Sequence, residues 1–461
     1  MSEEATLDEF AESSDAESKK VERRESRFWG EIPEGWELVD GTDVYDVNPN
    51  PKPDTEPNTY IEMDALDTEL PWPKYFGKRN ASEYSGKKFT RGDTLFARIT
   101  PCTENGKAAF VPEMETTVGI GSTEYAVLSP KTDRINSWLL YYLAKSYPVH
   151  NYAVSRMRGS TGRQRVPFSV FRRELDISLP PIPEQRKIAT VLYTIDRAIE
   201  KSKEIKTQLE RTHNGLIQNF LTHGIQDSET IDTGTKLGEV PSHWEIVTIE
   251  NILSDEDYSF TDGARYSLSS DEIQDSGDAR AILLEEVKEG EFDDSNPKFA
   301  TEEKYNEITH RAIYPGEVVV AKMAEPVARA CIVPDTYEKY LLGCADVVRI
   351  VPSEEIEDRF LMYCMNSHKV WRQAVAHLRG TGRSRINLEN ISELYIPKPP
   401  LSEQREIVSI LSGIDQQIDN EQQYRNNLQR LKGGLQQDLL SGTVRTTDTN
   451  IEVPDEIAQH G

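Results

Sequence analysis

Two stretches of this chain concentrate positive charge on a glycine-bearing backbone. RMRGSTGRQR carries Arg156, Arg158, Arg163 and Arg165, and HLRGTGRSR carries Arg379, Arg383 and Arg385. A guanidinium is a planar fork of donors that matches phosphate oxygens or the acceptor edge of guanine. Glycine lets the backbone come close to such a group. Arg98 and Lys322, each closing a predicted strand, are candidates for contacting bases. The competing reading is a solvated turn whose arginines pair with the chain's own carboxylates. Machinery for making or breaking bonds is missing. There is no GxxxxGK[ST], no HExxH, no Asn-Pro-Pro-aromatic tetrapeptide, and GIGSTEY stops after two glycines of a GxGxxG. Cys102, Cys331, Cys344 and Cys364 are scattered without a CxxC, which predicts plain thiols and no metal site.

The arginines stand out against an acidic background. The chain has 461 residues, 79 acidic against 53 basic, and a formal charge of −26. Taken alone, that charge opposes a polyanionic partner. An acidic surface suited to a salt-loaded cytoplasm reconciles the two, because at ~1 M salt the Debye length is about 3 Å and only close contacts count. No run approaches the ~20 apolar residues that span a membrane, and the N-terminus lacks the apolar core of a signal peptide. A soluble, cytoplasmic protein of about three ~150-residue domains is expected.

The elements that must hold these loops occur twice. EIPEGWELV (31–39) is matched by EVPSHWEIV (239–247), and TRGDTLFARI (90–99) by YPGEVVVAKM (314–323). SWLLYYLAKS (137–146) is set against RFLMYCMNSH (359–368), the two arginine loops follow, and PPIPEQRKIATVL (180–192) is matched by PPLSEQREIVSIL (399–411). Five blocks in one order signal an internal duplication. Trp36 and Trp244 read as core anchors. LFARI, AAFV, VVVAKM and ACIV read as short strands.

After each PPxxEQ phrase a long helix is predicted, from Pro183 to about Leu221 and from Ser402 to about Leu440. Ile188, Val191, Ile195, Ala198, Ile205, Leu209, Leu216 and Phe220 keep 3–4 spacing, as do Ile407, Ile410, Ile414, Tyr424, Leu428, Leu431, Leu435 and Leu439. Such spacing marks a coiled-coil seam. The expected architecture is mixed α/β and pseudo-two-fold symmetric, with two similar domains separated by two antiparallel helices in an intramolecular coiled coil. The expected spans are a disordered acidic extension (1–29), a first domain (30–180), a first helix (181–226), a second domain (227–398), a second helix (399–444) and a flexible tail (445–461).

Two domains, each closed by PPxxEQ and a long helix ending in GLIQNFLTHGI or GLQQDLLSGTV, resemble the specificity subunit of type I restriction-modification systems over roughly residues 30–443. The resemblance implies a non-catalytic DNA-recognition subunit, each domain reading one block of a split, asymmetric site while the helices fix the spacer. It implies double-stranded DNA as ligand and two methyltransferase subunits and one restriction/translocase subunit as partners. S-adenosylmethionine, ATP and Mg would be held by those partners, with no cofactor in this chain. Glu184, Gln185, Arg186, Glu403, Gln404 and Arg405 are then the expected docking residues, although a carboxylate in the first turn of a helix is also ordinary helix-start chemistry. Alternatives are a recognition subunit for a type II-like methylase-nuclease, a coiled-coil scaffold without DNA affinity, and a self-contained methyltransferase, which the missing motifs oppose.

Overall fold

A computed structural model describes residues 25–53, 55–160, 162–226, 228–263, 268–269, 271–378 and 385–460. Its contacts divide the chain into two compact units, Met1–Ile205 with Glu421–Gly461, and Lys206–Asn420. Among the described residues six helices have eight or more residues. They are α1 (Ser137–Lys145), α2 (Tyr147–Ser155), α3 (Ile182–His223), α4 (Asp358–Met365), α5 (His368–Ala376) and α6 (Leu401–Ser441). Each unit therefore holds one domain and one part of both long helices.

The two domains have the same sheet order. In the first unit an antiparallel sheet runs Tyr45–Val47, Tyr125–Pro130, Thr94–Ala97, Ala108–Phe110. A second sheet runs Gly77–Arg79, Asn58–Ile61, Gly119–Gly121, Lys87–Phe89, with the middle pair parallel. The second unit repeats this with Phe260–Asp262, Val347–Ile350, Val318–Ala321, Ala330–Ile332, and with Lys298–Ala300, Ala279–Ile282, Tyr340–Leu342, Ala312–Ile313. The central strands Thr94–Ala97 and Val318–Ala321 are buried on both faces, so they read as continuous apolar runs and not as alternation. Trp36 and Trp244 are buried core residues.

Structure moves one sequence match by a residue. Asn136 and Glu357 cap α1 and α4, and Ser146 and Ser367 precede α2 and α5, so these pairs correspond. Tyr142 is thus the equivalent of Tyr363, whereas the match drawn from the sequence puts it opposite Cys364. The side chains agree with this register. Tyr142 donates to Asp196 of α3, and Tyr363 donates to Asp415 at the same place of α6. In the first unit Asp196 also pairs with Lys432 of α6, and in the second Asp415 pairs with His213 of α3 at 3.1 Å.

Within the first unit α3 and α6 run antiparallel, since Asp196 meets Lys432 while the later Ser202 meets the earlier Glu421. Leu428 and Leu435 pack on Ile195 and Ile199 there. In the second unit Ile217 and Phe220 share a core with Ile407 and Leu411. Part of the predicted seam is corrected. Ile205, Ile410, Tyr424 and Leu431 are exposed large apolar residues on the helix surfaces, because the 3–4 spacing continues past the positions where a neighbour is present.

Two terminal expectations change as well. Most of the extension predicted to be disordered lies outside the described residues, but Glu25–Ser26 pairs with Gly30–Glu31 and Trp29 is buried. The tail predicted to be flexible is packed. Ile457 is fully buried, the Asn136 amide donates to its carbonyl at 2.9 Å, and Ser137 N donates to His460 O at 2.8 Å. An apolar side chain with a seat and paired backbone groups overrides the polar composition.

The tail's last ring gives it a pH response. Burial, then Arg91, lowers His460 from 6.5 to about 4. Its folded value lies below the unfolded one, so the docked tail stays neutral where a released tail takes up a proton. Docking strength is complete above about 6.5 and falls as pH drops toward 4. Amide-exchange protection of residues 455–460 should decrease over that window, and His460→Phe should flatten the part due to the imidazole. An unchanged profile in that variant would show that the imidazole does not set the response.

Candidate nucleic-acid interface

Each long helix begins on an internal joint. Pro183 sits in the first turn of α3, where a missing N–H costs nothing. The next residue, Glu184, is buried and accepts from Trp36 Nε1 at 2.9 Å and from Arg445 at 2.8 and 2.9 Å. Burial acts to raise the Glu184 carboxyl, but Arg445, Trp36 and the Thr446 N–H outweigh it and hold it below the ordinary range. Gln185 accepts from Asn136 N and donates to the carbonyls of Arg134 and Pro180.

The second unit repeats the joint. Glu403 accepts from Trp244 Nε1 at 3.0 Å, and Gln404 accepts from Glu357 N and donates to Glu355 O and Pro399 O. The PxxW and PPxxEQ phrases are therefore two halves of one clasp. Each helix also ends against a clasp. Gly442, at φ +75°, lies against Pro33 and Trp36, where a Cβ would come within 2.3 Å of Pro33. Gly224, at φ +70°, lies against Glu403 and Trp244.

This corrects the docking expectation for four residues. Glu184, Gln185, Glu403 and Gln404 spend their polar atoms on the chain itself. Arg186 is half-buried, and Arg405 is exposed beside Arg359, Ser409 and Ser412 in an open groove along α6.

The arginine loop of the first unit is folded back onto the sheet. Arg158 and Arg165 form an antiparallel bridge, and Ile99 bridges Arg165. Glu124 accepts from Arg165 Nε at 2.9 Å and pairs with Arg98 at 3.3 Å. Arg98 Nε also donates to Val166 O, and burial, then the nearby Arg165, lowers it against the pull of Glu124. Arg156 is paired with Glu174 at 2.9 Å. Arg158 and Arg163 are exposed and make no ion pair among the described residues.

In the second unit the corresponding cations are more fully neutralised. Met323 bridges Arg385 as Ile99 bridges Arg165, and Arg385 pairs with Asp346 at 3.0 Å. Lys322, expected to contact bases, has a side chain only 3% exposed and is paired with Asp262. Its ammonium does not reach solvent, and the residue is withdrawn from the interface. Arg379 and Arg383 lie outside the described residues.

Sequence reasoning missed Glu124, which closes on two arginines from different segments, and it missed Lys87 and Arg172. Lys87 Nζ stands 4.9 Å from the Phe168 ring centre, Arg98 Cζ 4.1 Å and Arg172 Cζ 5.8 Å. The available signal was the paired lysine of GKKF and the paired arginine of FRREL, both outside the repeated loops. No group of three His, Cys, Asp or Glu suited to a metal ion occurs among the described residues. The four cysteines are free thiols, with Cys331 pushed up to about 12 by burial.

A sheet architecture that occurs twice, each copy clasped onto a long helix, defines a protein built by duplication. The family described as type I restriction modification DNA specificity domain matches residues 33–211 and 241–430, and the chain belongs to that family. It is a specificity subunit, the non-catalytic, sequence-recognising component of a type I restriction-modification system. Among its relatives is the type I restriction enzyme MjaVIII specificity subunit of Methanocaldococcus jannaschii. That protein is 24% identical over 336 residues, covering 72% of this chain and 76% of its own. The MjaIX specificity subunit of the same organism is 23% identical over 441 residues, covering 91% and 96%. The type I restriction-modification S subunit from M. genitalium shares the fold, with a TM-score of 0.53 at 14% identity over 88% of this chain and 96% of that one.

Proposed function

We propose that the two units read two different short blocks of one split DNA site. The observation that carries this is the contrast between equivalent surfaces on identical sheet orders. The first unit offers Arg98 and Arg165 around one carboxylate, with Arg158 and Arg163 unpaired. In the second, Lys322 is closed off by Asp262 beneath the surface, and Arg385 is matched to Asp346. Different donor patterns on one scaffold select different base edges. Arg158 and Arg163 are assigned to DNA in the first unit, with Arg98, Arg156 and Arg165 positioned behind them. Arg385, Arg379 and Arg383 take that role in the second.

Two methyltransferase subunits carrying S-adenosylmethionine, and a restriction subunit using ATP and Mg, would assemble on this chain. Arg186, Arg405 and the exposed apolar pair Tyr424 and Leu431, two turns apart on α6, suit docking better than the buried Glu-Gln pairs. The helices are read as an antiparallel coiled coil, and the acidic surface as an adaptation to a saline cytoplasm. Replacing residues 30–180 with the first domain of another family member should change one block of the methylated site and leave the other as it was. Genome-wide mapping of methylated adenines reads the result, and a change in both blocks overturns the modular reading.

A further inference from the structure

Three cations of the first unit crowd one partly buried phenylalanine, and a fourth shares a carboxylate with one of them. Lys87 comes from the edge strand Lys87–Phe89, Arg98 from the end of Thr94–Ala97, Arg165 from the loop, and Arg172 from the short helical turn Val170–Glu174. Three of them lie within 6 Å of the Phe168 ring centre, a distance at which a ring face attracts cations. Glu124 is the carboxylate in ion-pair contact with this group, and it is already shared by Arg98 and Arg165. Lys87 and Arg172 have no carboxylate partner among the described residues. In a chain of net charge −26, a spot with four cations and one anion is an exception.

The cations also burden one another. Burial, then Arg98 and Arg172, lowers the Lys87 ammonium below its ordinary value. An anion placed there would relieve that repulsion and replace lost hydration. Among the described residues, the second unit has no such feature at the equivalent place. Val166 and Ile386 occupy one position, because each donates its N–H to the carbonyl of the equivalent cation, Arg98 or Lys322. Phe168 therefore corresponds to Leu388, and the facing turn Leu388–Ser392 contains no arginine or lysine. The sheet register pairs Lys87 with Arg311, which is buried and donates to backbone carbonyls of Gly263 and Leu342.

We infer that Lys87, Arg98 and Arg172 around Phe168 form a seat for a backbone phosphodiester of duplex DNA, present in the first unit and without a counterpart among the described residues of the second. This rests on the DNA-reading assignment above and adds an asymmetry to it. The first unit supplies this ionic anchor, whereas among the described residues of the second Lys322 and Arg385 are each paired with a carboxylate. Lys87 and Arg172 act through charge, so they set affinity and salt dependence and leave base choice alone.

The test uses the full chain with its methyltransferase partner and a fluorescein-labelled duplex containing the mapped site. Anisotropy titrations from about 0.1 M to about 1 M KCl give the slope of log K against log salt. Losing that one phosphate contact in Lys87→Ala/Arg172→Ala should flatten that slope by about 1, so the wild-type advantage shrinks about 10-fold across the range. Lys201→Ala, an exposed cation already paired with Glu204, should keep the wild-type slope. In parallel, bound duplex should protect Lys87 from amine acetylation, read by peptide mass spectrometry on wild-type protein. A double variant with the wild-type slope, or a Lys87 that stays unprotected while DNA is bound, overturns the seat and leaves DNA reading intact. Wild-type protein that binds no duplex overturns both.

Discussion

Asp196→Ala should cost the first unit about 3–5 kcal/mol, because it strands a buried cation and a buried hydroxyl together. Asp196 is completely buried, and its carboxylate takes the Tyr142 hydroxyl and the Lys432 ammonium. Burial pushes its carboxyl up while Lys432 pulls it down. With the carboxylate gone, the Lys432 side chain, 11% exposed, keeps a charge it cannot easily hydrate. The equivalent change in the second unit, Asp415→Ala, should cost only about 1–3 kcal/mol, since that carboxylate is 36% exposed and takes the Tyr363 hydroxyl and an imidazole instead of a buried ammonium. Urea unfolding followed by tryptophan fluorescence reports chiefly on the first unit through Trp29, Trp36, Trp72 and Trp138, and amide exchange in α4 reports on the second. Equal costs would show that the ion pairs add nothing beyond the tyrosine bond. His213→Lys in the Asp415→Ala background should raise the second cost toward the first.

Glu184→Ala is the next largest expected effect, about 2–4 kcal/mol. It leaves the indole N–H of Trp36 without an acceptor and frees Arg445, releasing the tail that follows it. Glu403→Ala should cost less, about 1–2 kcal/mol, because its carboxylate is more exposed and gathers Trp244, His243 and the Ile225 N–H without a close arginine. The Glu184 contribution follows a folded value below the unfolded one, so it is present above the ordinary carboxylate range and is lost as acid protonates the group. Thermal unfolding from pH 7 downward should therefore show the gap between wild type and Glu184→Ala holding to the ordinary carboxylate range and closing only as pH falls through the lowered folded value. A constant difference would place the cost in lost packing and not in the charge.

Much of the architecture was legible because it rests on short-range pattern. The 3–4 spacing after Pro183 and Leu401 marks both long helices, and the apolar runs LFA and VVVA mark strands buried on two faces. The matched phrases disclose the duplication. What these patterns do not carry is the identity of the neighbour. The spacing that predicts Ile195 as buried predicts Leu431 equally, and only the surrounding elements decide that one is covered and the other bare. The match that set Tyr142 against Cys364 was off by one residue, since both helices are apolar enough to accept either alignment. The hydrogen bonds to Asp196 and Asp415 resolve it.

The sequence alone determined that this is a duplicated, non-catalytic recognition chain with arginines gathered in two loops, because those properties reside in residue type, order and repetition. Tertiary structure decided which charged groups are available. Glu184 and Trp36 are 148 positions apart, Glu184 and Arg445 are 261 apart, and Lys322 is closed off by Asp262 from a distant strand. Whether a cation faces solvent or a carboxylate depends on such long-range closures, and burial makes each of them strong enough to remove a residue from the surface that a partner could read.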